Sequence, residues 1–165
     1  MKSLEGTTQL CTFQLGELLL GLDVKRVQEV LRHQPMTHVP LASRVIRGLI
    51  NLRGQIVLAI DLSFCLGLPS KTRPGESMLV VIRSEDGPAS LVVDGIRDIV
   101  QVQPDSFEEP PETLTGHGRA FIKGAYKMPR QLLLVLDPEA ILNYVGLHGS
   151  SSGHSAADEP LWLQT

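Results

Sequence analysis

The chain is poor in cysteine: its 165 residues hold two, Cys11 and Cys65. Each sits among apolar neighbours, in Leu10-Cys11-Thr12-Phe13 and Phe64-Cys65-Leu66. Two thiols are too few for a disulfide framework, and they read as small buried hydrophobes of a reducing compartment. Basic excess is missing too. The net charge is −3 and the pI about 5.9, so the chain lacks the positive field by which proteins offset phosphate charge. The longest basic stretch, Lys71 to Arg73, carries two charges within a Pro/Gly segment. No apolar run approaches the roughly 18 residues that span a bilayer. Met1 to Thr8 carries Lys2 with no apolar run behind it, so no secretory leader is expected. The histidines (His33, His38, His117, His148 and His154) show no metal-ligand spacing. Neither a phosphate-cradling Gly-rich loop nor a Gly-x-Ser-x-Gly nucleophile elbow occurs, and Gly116-His117-Gly118 is too short for a nucleotide loop. These absences turn the reading away from nucleic acid, metals, cofactors and phosphate chemistry. They favour a soluble, cytoplasmic, non-enzymatic interaction module that reaches a membrane only through a partner.

What is present is ordinary globular material, 42% hydrophobic and 20% charged, enough for one domain with a real core. Gln9 to Leu15 alternates as a half-buried strand, Gly16-Glu17 turns, and Leu18 to Leu22 returns. Asp23 is placed to cap a short helix over Val24 to Leu31, whose face would be Val24, Val27 and Leu31. Two strands flank the hairpin-type break Arg53-Gly54, and the second is apolar on both faces, as a strand covered on both sides would be. Asp61 is placed to cap another short helix, Leu62 to Leu66. After a polar connector (Ser70 to Glu76), strands are expected at Ser77–Arg83, Ala89–Val93 and Ile96–Val102. A long loop over Gln103 to Gly118 follows, then strands at Ala120–Lys127 and Gln131–Leu136. Asp137-Pro138-Glu139 opens a last helix reaching about Val145, and a flexible Gly/Ser/His-rich tail begins at Gly146.

An internal repeat organises this material. Ile46-Arg47-Gly48 matches Ile122-Lys123-Gly124, Gln55 matches Gln131, Asp61 matches Asp137 and Leu66 matches Leu142, every pair 76 positions apart with no gap. Strand periodicity alone would tolerate any even shift, so one shared offset implies two similar halves. Each half offers about five short strands and a short helix, and such small sheets tend to curl into barrels that hide their edges. The repeat breaks at its turn: Leu52-Arg53-Gly54 answers to Met128-Pro129-Arg130, where proline fixes φ and removes a donor.

At Asn51-Leu52-Arg53-Gly54 with Ile56 to Leu62, the chain resembles the CheW-type coupling proteins of bacterial chemotaxis. Gly21-Leu22-Asp23, Val27-Gln28-Glu29-Val30, Val92-Val93-Asp94-Gly95-Ile96, Phe121-Ile122-Lys123-Gly124 and Leu136-Asp137 follow in the same order, so the likeness runs from Gln9 to Val145. The resemblance implies a mainly β, CheW-like fold of two SH3-like five-stranded β-barrel subdomains, over about 9–69 and 77–145. It implies a non-enzymatic scaffold that links the cytoplasmic tip of a methyl-accepting chemoreceptor to a CheA-type histidine kinase. A receptor-facing groove would lie between the halves and involve Arg53, Gly54, Ile96 and Ile99, with Val27 and Glu29 on the first helix as further protein contacts. A coupling protein of a non-flagellar pathway (surface sensing or twitching) is the alternative, and a small β-barrel enzyme a more distant one.

Three features carry two readings each. Arg53 is either a solvated turn residue or a binding group whose planar guanidinium pairs a partner carboxylate in two places. Asp61 and Asp137 read as helix caps at equivalent positions rather than a catalytic carboxylate pair. Trp162, in Glu159-Pro160-Leu161-Trp162-Leu163, is either a docking element on a tether or part of an unselected tail.

Overall fold

Ten strands carry most of the structure, a computed structural model that describes residues 8–69, 75–112 and 116–148. The connector over 70–74, the tail from 149 and Trp162 lie outside the described residues. Strands β1 (Thr8–Leu15), β2 (Leu18–Asp23), β3 (Val27–Arg32), β4 (Ile46–Leu52) and β5 (Gln55–Asp61) precede the short helix α1 (Leu62–Cys65). Strands β6 (Met78–Ile82), β7 (Ala89–Val93), β8 (Gly95–Val102), β9 (Ile122–Lys127) and β10 (Leu132–Leu136) lead to helix α2 (Pro138–His148).

The strands form two five-stranded sheets, ordered β8-β1-β2-β10-β9 and β3-β6-β7-β5-β4. The two orders are one pattern: advancing each strand of the first sheet by one half of the repeat generates the second. Even the single parallel pairs correspond, Val135 beside Gly21 in one sheet and Ala59 beside Ser90 in the other. The halves therefore interlock. Each sheet takes the opening hairpin of one half and the last three strands of the other, whereas the expected subdomains at about 9–69 and 77–145 follow sequence order. The second sheet is built from the continuous stretch 27–93, and the first from 8–23 with 95–136. The chain crosses between sheets at Asp23–Arg26 and at Asp94. Each sheet has the SH3-like strand set, but its edge strands are not hydrogen-bonded to each other, so neither barrel closes.

Interlocking buries both faces of the central strands. A central cluster joins Phe13, Leu20 and Leu22 of the first sheet to Val80, Ile82 and Leu91 of the second, with Leu136 and Ile141. The outer faces feed two smaller clusters, one around Ile50, Val57 and Val81, the other around Leu10, Leu133 and Tyr126. In β7 every residue is buried. Alternating apolar residues on two faces each find a core, as expected of strands covered on both sides.

The repeat's glycines have a packing reason. A Cβ on Gly48 would stand 2.9 Å from the Thr37 carbonyl oxygen, and one on Gly124 would stand 2.5 Å from that of Glu108. At both places an incoming loop forms a β-bridge to the edge strand, Thr37 to Leu49 and Glu108 to Ala125. Only glycine permits that approach.

Local readings also shift. The helix expected over Val24 to Leu31 is one 3-10 turn, Val24–Arg26, followed by β3. Asp23 does cap it, accepting from the Lys25 N–H at 2.9 Å. An isolated eight-residue helix with three valines is marginal, and pairing five positions of β3 with β6 outweighs it. A 3-10 turn, Pro104–Ser106, falls in the expected loop, and a second, Gly116–Phe121, runs from that loop into the expected strand, so β9 begins only at Ile122. Helix α2 continues past Val145 through His148. Gly146 has open space around its Cα, and one helical glycine costs only about 1 kcal/mol.

Candidate functional site

The β4–β5 hairpin pairs Leu52 with Gln55 and turns on two residues, Arg53 at φ 51° and Gly54 at φ 88°. Two consecutive positive φ values give the tight turn whose twist suits a hairpin, unusual in having arginine first. Asn51 secures it, its Oδ1 accepting from the Gly54 N–H at 2.8 Å. The repeat-equivalent Pro129-Arg130 turn has no positive φ and closes instead through the Met128 N–H on the Gln131 carbonyl, so the break seen in sequence is a real change of shape.

The turn aims Arg53 at Glu29. Nη1 donates to Oε1 at 3.0 Å and Nη2 donates to Oε2, a two-pronged pair. Glu29 lies on β3 and Arg53 at the tip beyond β4, the two opposite edges of one sheet, so the pair is a clasp across the barrel's open side. The guanidinium stays 68% exposed while the carboxylate is 22% exposed. The Arg53 hydrogen bonds hold the Glu29 carboxyl below the usual glutamate range, against the opposing effect of burial. Both residues are sequence candidates. Their pairing is not legible there, because Glu29 reads as helical and the guanidinium as reaching for a partner's carboxylate.

The remaining candidates share a second symmetry. Val27 opens β3 opposite Ile82, and Ile96 sits at the start of β8 opposite Phe13; each is followed by a β-bulge. The offset here is 69, which also matches Val30 to Ile99. Thr12 pins the β8 bulge by donating its hydroxyl to the Asp98 carbonyl. Val27 and Ile96 are half-buried against the same central cluster, whereas Ile99 is 63% exposed on an edge strand. Arg53, Gly54, Val27 and Glu29 thus belong to one sheet, and Ile96 and Ile99 to the edge of the other.

Two features escape sequence reasoning. Ile56 and Leu132, 76 apart, are both exposed at the start of the second hairpin strand, although alternation assigns them to a core. A cleft of about 720 Å³ opens between β4, β5, the β6–β7 turn and α2, and none of the six candidate residues lines it. The aspartates are caps: Asp61 accepts from the Phe64 N–H at 3.1 Å and Asp137 from the Ala140 N–H at 3.1 Å, with Arg47 pairing the other Asp61 oxygen. Burial, helped by the charge of Asp61, pushes the Cys65 thiol up to about 12. Among the described residues no cluster of His, Cys, Asp or Glu is arranged to hold a metal, and no helix is long and apolar enough to cross a membrane.

The CheW-like domain matches residues 9–145. The chain is 33% identical over 133 residues to the chemotaxis protein CheW of Treponema pallidum, covering 78% of each. It is 26% identical over 134 residues to Protein PilI of Pseudomonas aeruginosa, covering 81% of this chain and 75% of that one. The crystal structure of the scaffolding protein TtCheW from Thermoanaerobacter tengcongensis superposes with a TM-score of 0.71 at 29% identity, covering 79% of this chain and 88% of that one.

Proposed function

The chain belongs to the CheW-like domain family, and on that premise we propose that it is a non-enzymatic adaptor coupling membrane chemoreceptors to a CheA-type histidine kinase. One observation carries the reading above the rest: residues 9–145, which hold both interlocked sheets, match the CheW-like domain as a unit. The similar TtCheW is itself a scaffolding protein.

The geometry suits that work. Each sheet offers its own exposed apolar position, Ile56 beside the β4–β5 turn of one and Ile99 on the edge strand of the other. Two surfaces on one rigid body can hold two partners at once and raise the effective concentration of each for the other. Val27, Glu29, Arg53, Gly54, Ile96 and Ile99 are the proposed protein contacts, with the receptor's cytoplasmic tip facing the groove of Arg53, Gly54, Ile96 and Ile99. Transient signalling contacts of small area bind at about micromolar strength. No bond is made or broken; signalling proceeds through a change in how partners are held. The proposed location is the cytoplasm, with the membrane reached only through the receptor.

A second reading places the same coupling in a non-flagellar pathway, surface sensing or twitching, and the similarity to Protein PilI supports it. The test of both is affinity capture by the full chain with cognate receptor and kinase present. Arg53→Glu and Ile99→Glu should keep the native β-sheet circular dichroism and lose partner recovery. Unchanged recovery by both variants removes the assigned sites, and the identity of the captured kinase separates the pathways.

A further inference from the structure

Positions 76 apart pack alike almost throughout, and one exception stands out. Gly118 lies directly on α1, so close that a Cβ there would stand 3.0 Å from the Leu66 carbonyl oxygen. The equivalent residues in the other half, Ala42 and Leu142, do not close in this way. Both instead line the cleft of about 720 Å³, whose floor includes Leu49, Ile60 and Val145. Ile60 and Val145 belong to the central cluster, so the opening reaches the core.

Its rim has one sign. The charged lining residues are Glu85, Asp86 and Glu139, with no lysine or arginine among the described residues that line it. Arg26 pairs with Glu139 at 2.6 Å, while Glu85 and Asp86 are exposed and form no ion pair among the described residues. Between Pro40 and Ala42, which line the cleft, Leu41 is 84% exposed and held at φ 66°, outside the lining itself. Left-handed backbone is disfavoured for a leucine, and in the free chain its side chain gains no burial in return.

We propose that this cleft is a docking site for a partner segment that carries apolar side chains at helical spacing, bordered by lysine or arginine. The apolar floor receives the apolar stripe, and Glu85 with Asp86 meets the cations. The chain's own residues 149–165 include Leu161-Trp162-Leu163, but they carry Asp158 and Glu159 and no lysine or arginine, the same sign as the rim. The cleft is separate from the six proposed coupling contacts, none of which lines it.

The test is a titration of the isotope-labelled full chain with a short amphipathic leucine–lysine peptide, and with its leucine–glutamate counterpart, followed by amide shifts. The lysine peptide should shift Ala42, Gly87, Asn143 and Gly146 saturably and the glutamate peptide should not. Glu85→Lys with Asp86→Lys should weaken the lysine peptide about tenfold without moving the thermal transition. Asn143→Trp, which obstructs the mouth without changing charge, should weaken it as well. Shifts confined to β3 and β8, or equal binding of the two peptides, would overturn the proposal. So would a response of the cleft amides to Trp162→Ala in the free chain, which would assign the cleft to the tail, or to dilution, which would assign it to a second copy.

Discussion

Replacing three glycines by alanine, one at a time, separates two physical causes, backbone strain and loop approach, that the sequence shows as one residue type. At Gly54 an added methyl meets nothing within 4 Å, so the cost is the strain of φ 88° alone, about 1 kcal/mol. At Gly48 the methyl stands 2.9 Å from the Thr37 oxygen and 3.0 Å from the Met36 Cβ, and a small retreat of that loop costs about 1–2 kcal/mol. At Gly124 the methyl would lie 2.2 Å from the Phe107 ring and 2.5 Å from the Glu108 oxygen, so the loop must leave. Leaving breaks two 2.9 Å hydrogen bonds between Glu108 and Ala125, worth about 1 kcal/mol each. It also parts the edge-to-face Phe107–Tyr126 pair at 5.3 Å, worth about 0.5–1.5 kcal/mol. Gly124→Ala should therefore cost about 3 kcal/mol, Gly48→Ala less and Gly54→Ala least. Urea unfolding midpoints at constant slope measure this. Equal losses at Gly124 and Gly54, or a reversed order, would refute the claim that the repeat keeps its glycines for loop approach.

Other expectations follow from single contacts. Cys65 should resist a thiol reagent at pH 8 until urea unfolds the chain. With its thiol pushed up to about 12 from 9.0, its contribution is complete below pH 9, where both states are protonated. It is lost as the unfolded chain ionises first, so stability should fall by about 4 kcal/mol between pH 9 and 12, and Cys65→Ala should remove that slope. The lowered Glu29 carboxyl has the opposite sense: its clasp is complete above the ordinary glutamate range and is lost as pH falls through the lowered value, so acid titration of Glu29→Gln should lack that step. Arg53→Glu and Glu29→Arg should each weaken partner capture. The double swap should restore it if the clasp acts by shaping the hairpin, and should fail to restore it if Arg53 itself grips the partner.

The repeat at offset 76 was legible because identical residue types recur at Gly48 and Gly124 and at Asp61 and Asp137, each fixed by a local demand: a loop approach or a helix cap. The exchange of strands between halves was not. Alternation states which face a residue takes but not which strand lies beside it, and Phe13 would be buried beside any apolar neighbour. The stretch from Val24 misled for a related reason, since Val24, Val27 and Leu31 fit one turn of period as well as an edge strand does. Arg53 could be singled out as a turn residue, whereas its hold on Glu29, 24 positions away, depends on how the sheet curls. Ile56 and Leu132 show the limit from the other side: their alternation is that of a core, and the fold leaves them outside.

The coupling claim is tested most directly by co-sedimentation of the kinase with receptor-bearing membranes, with and without the full chain. The account predicts that the kinase pellets only when the chain is present and that Arg53→Glu or Ile99→Glu returns it to the supernatant. Kinase that pellets equally without the chain, or stays soluble with it, would contradict the account.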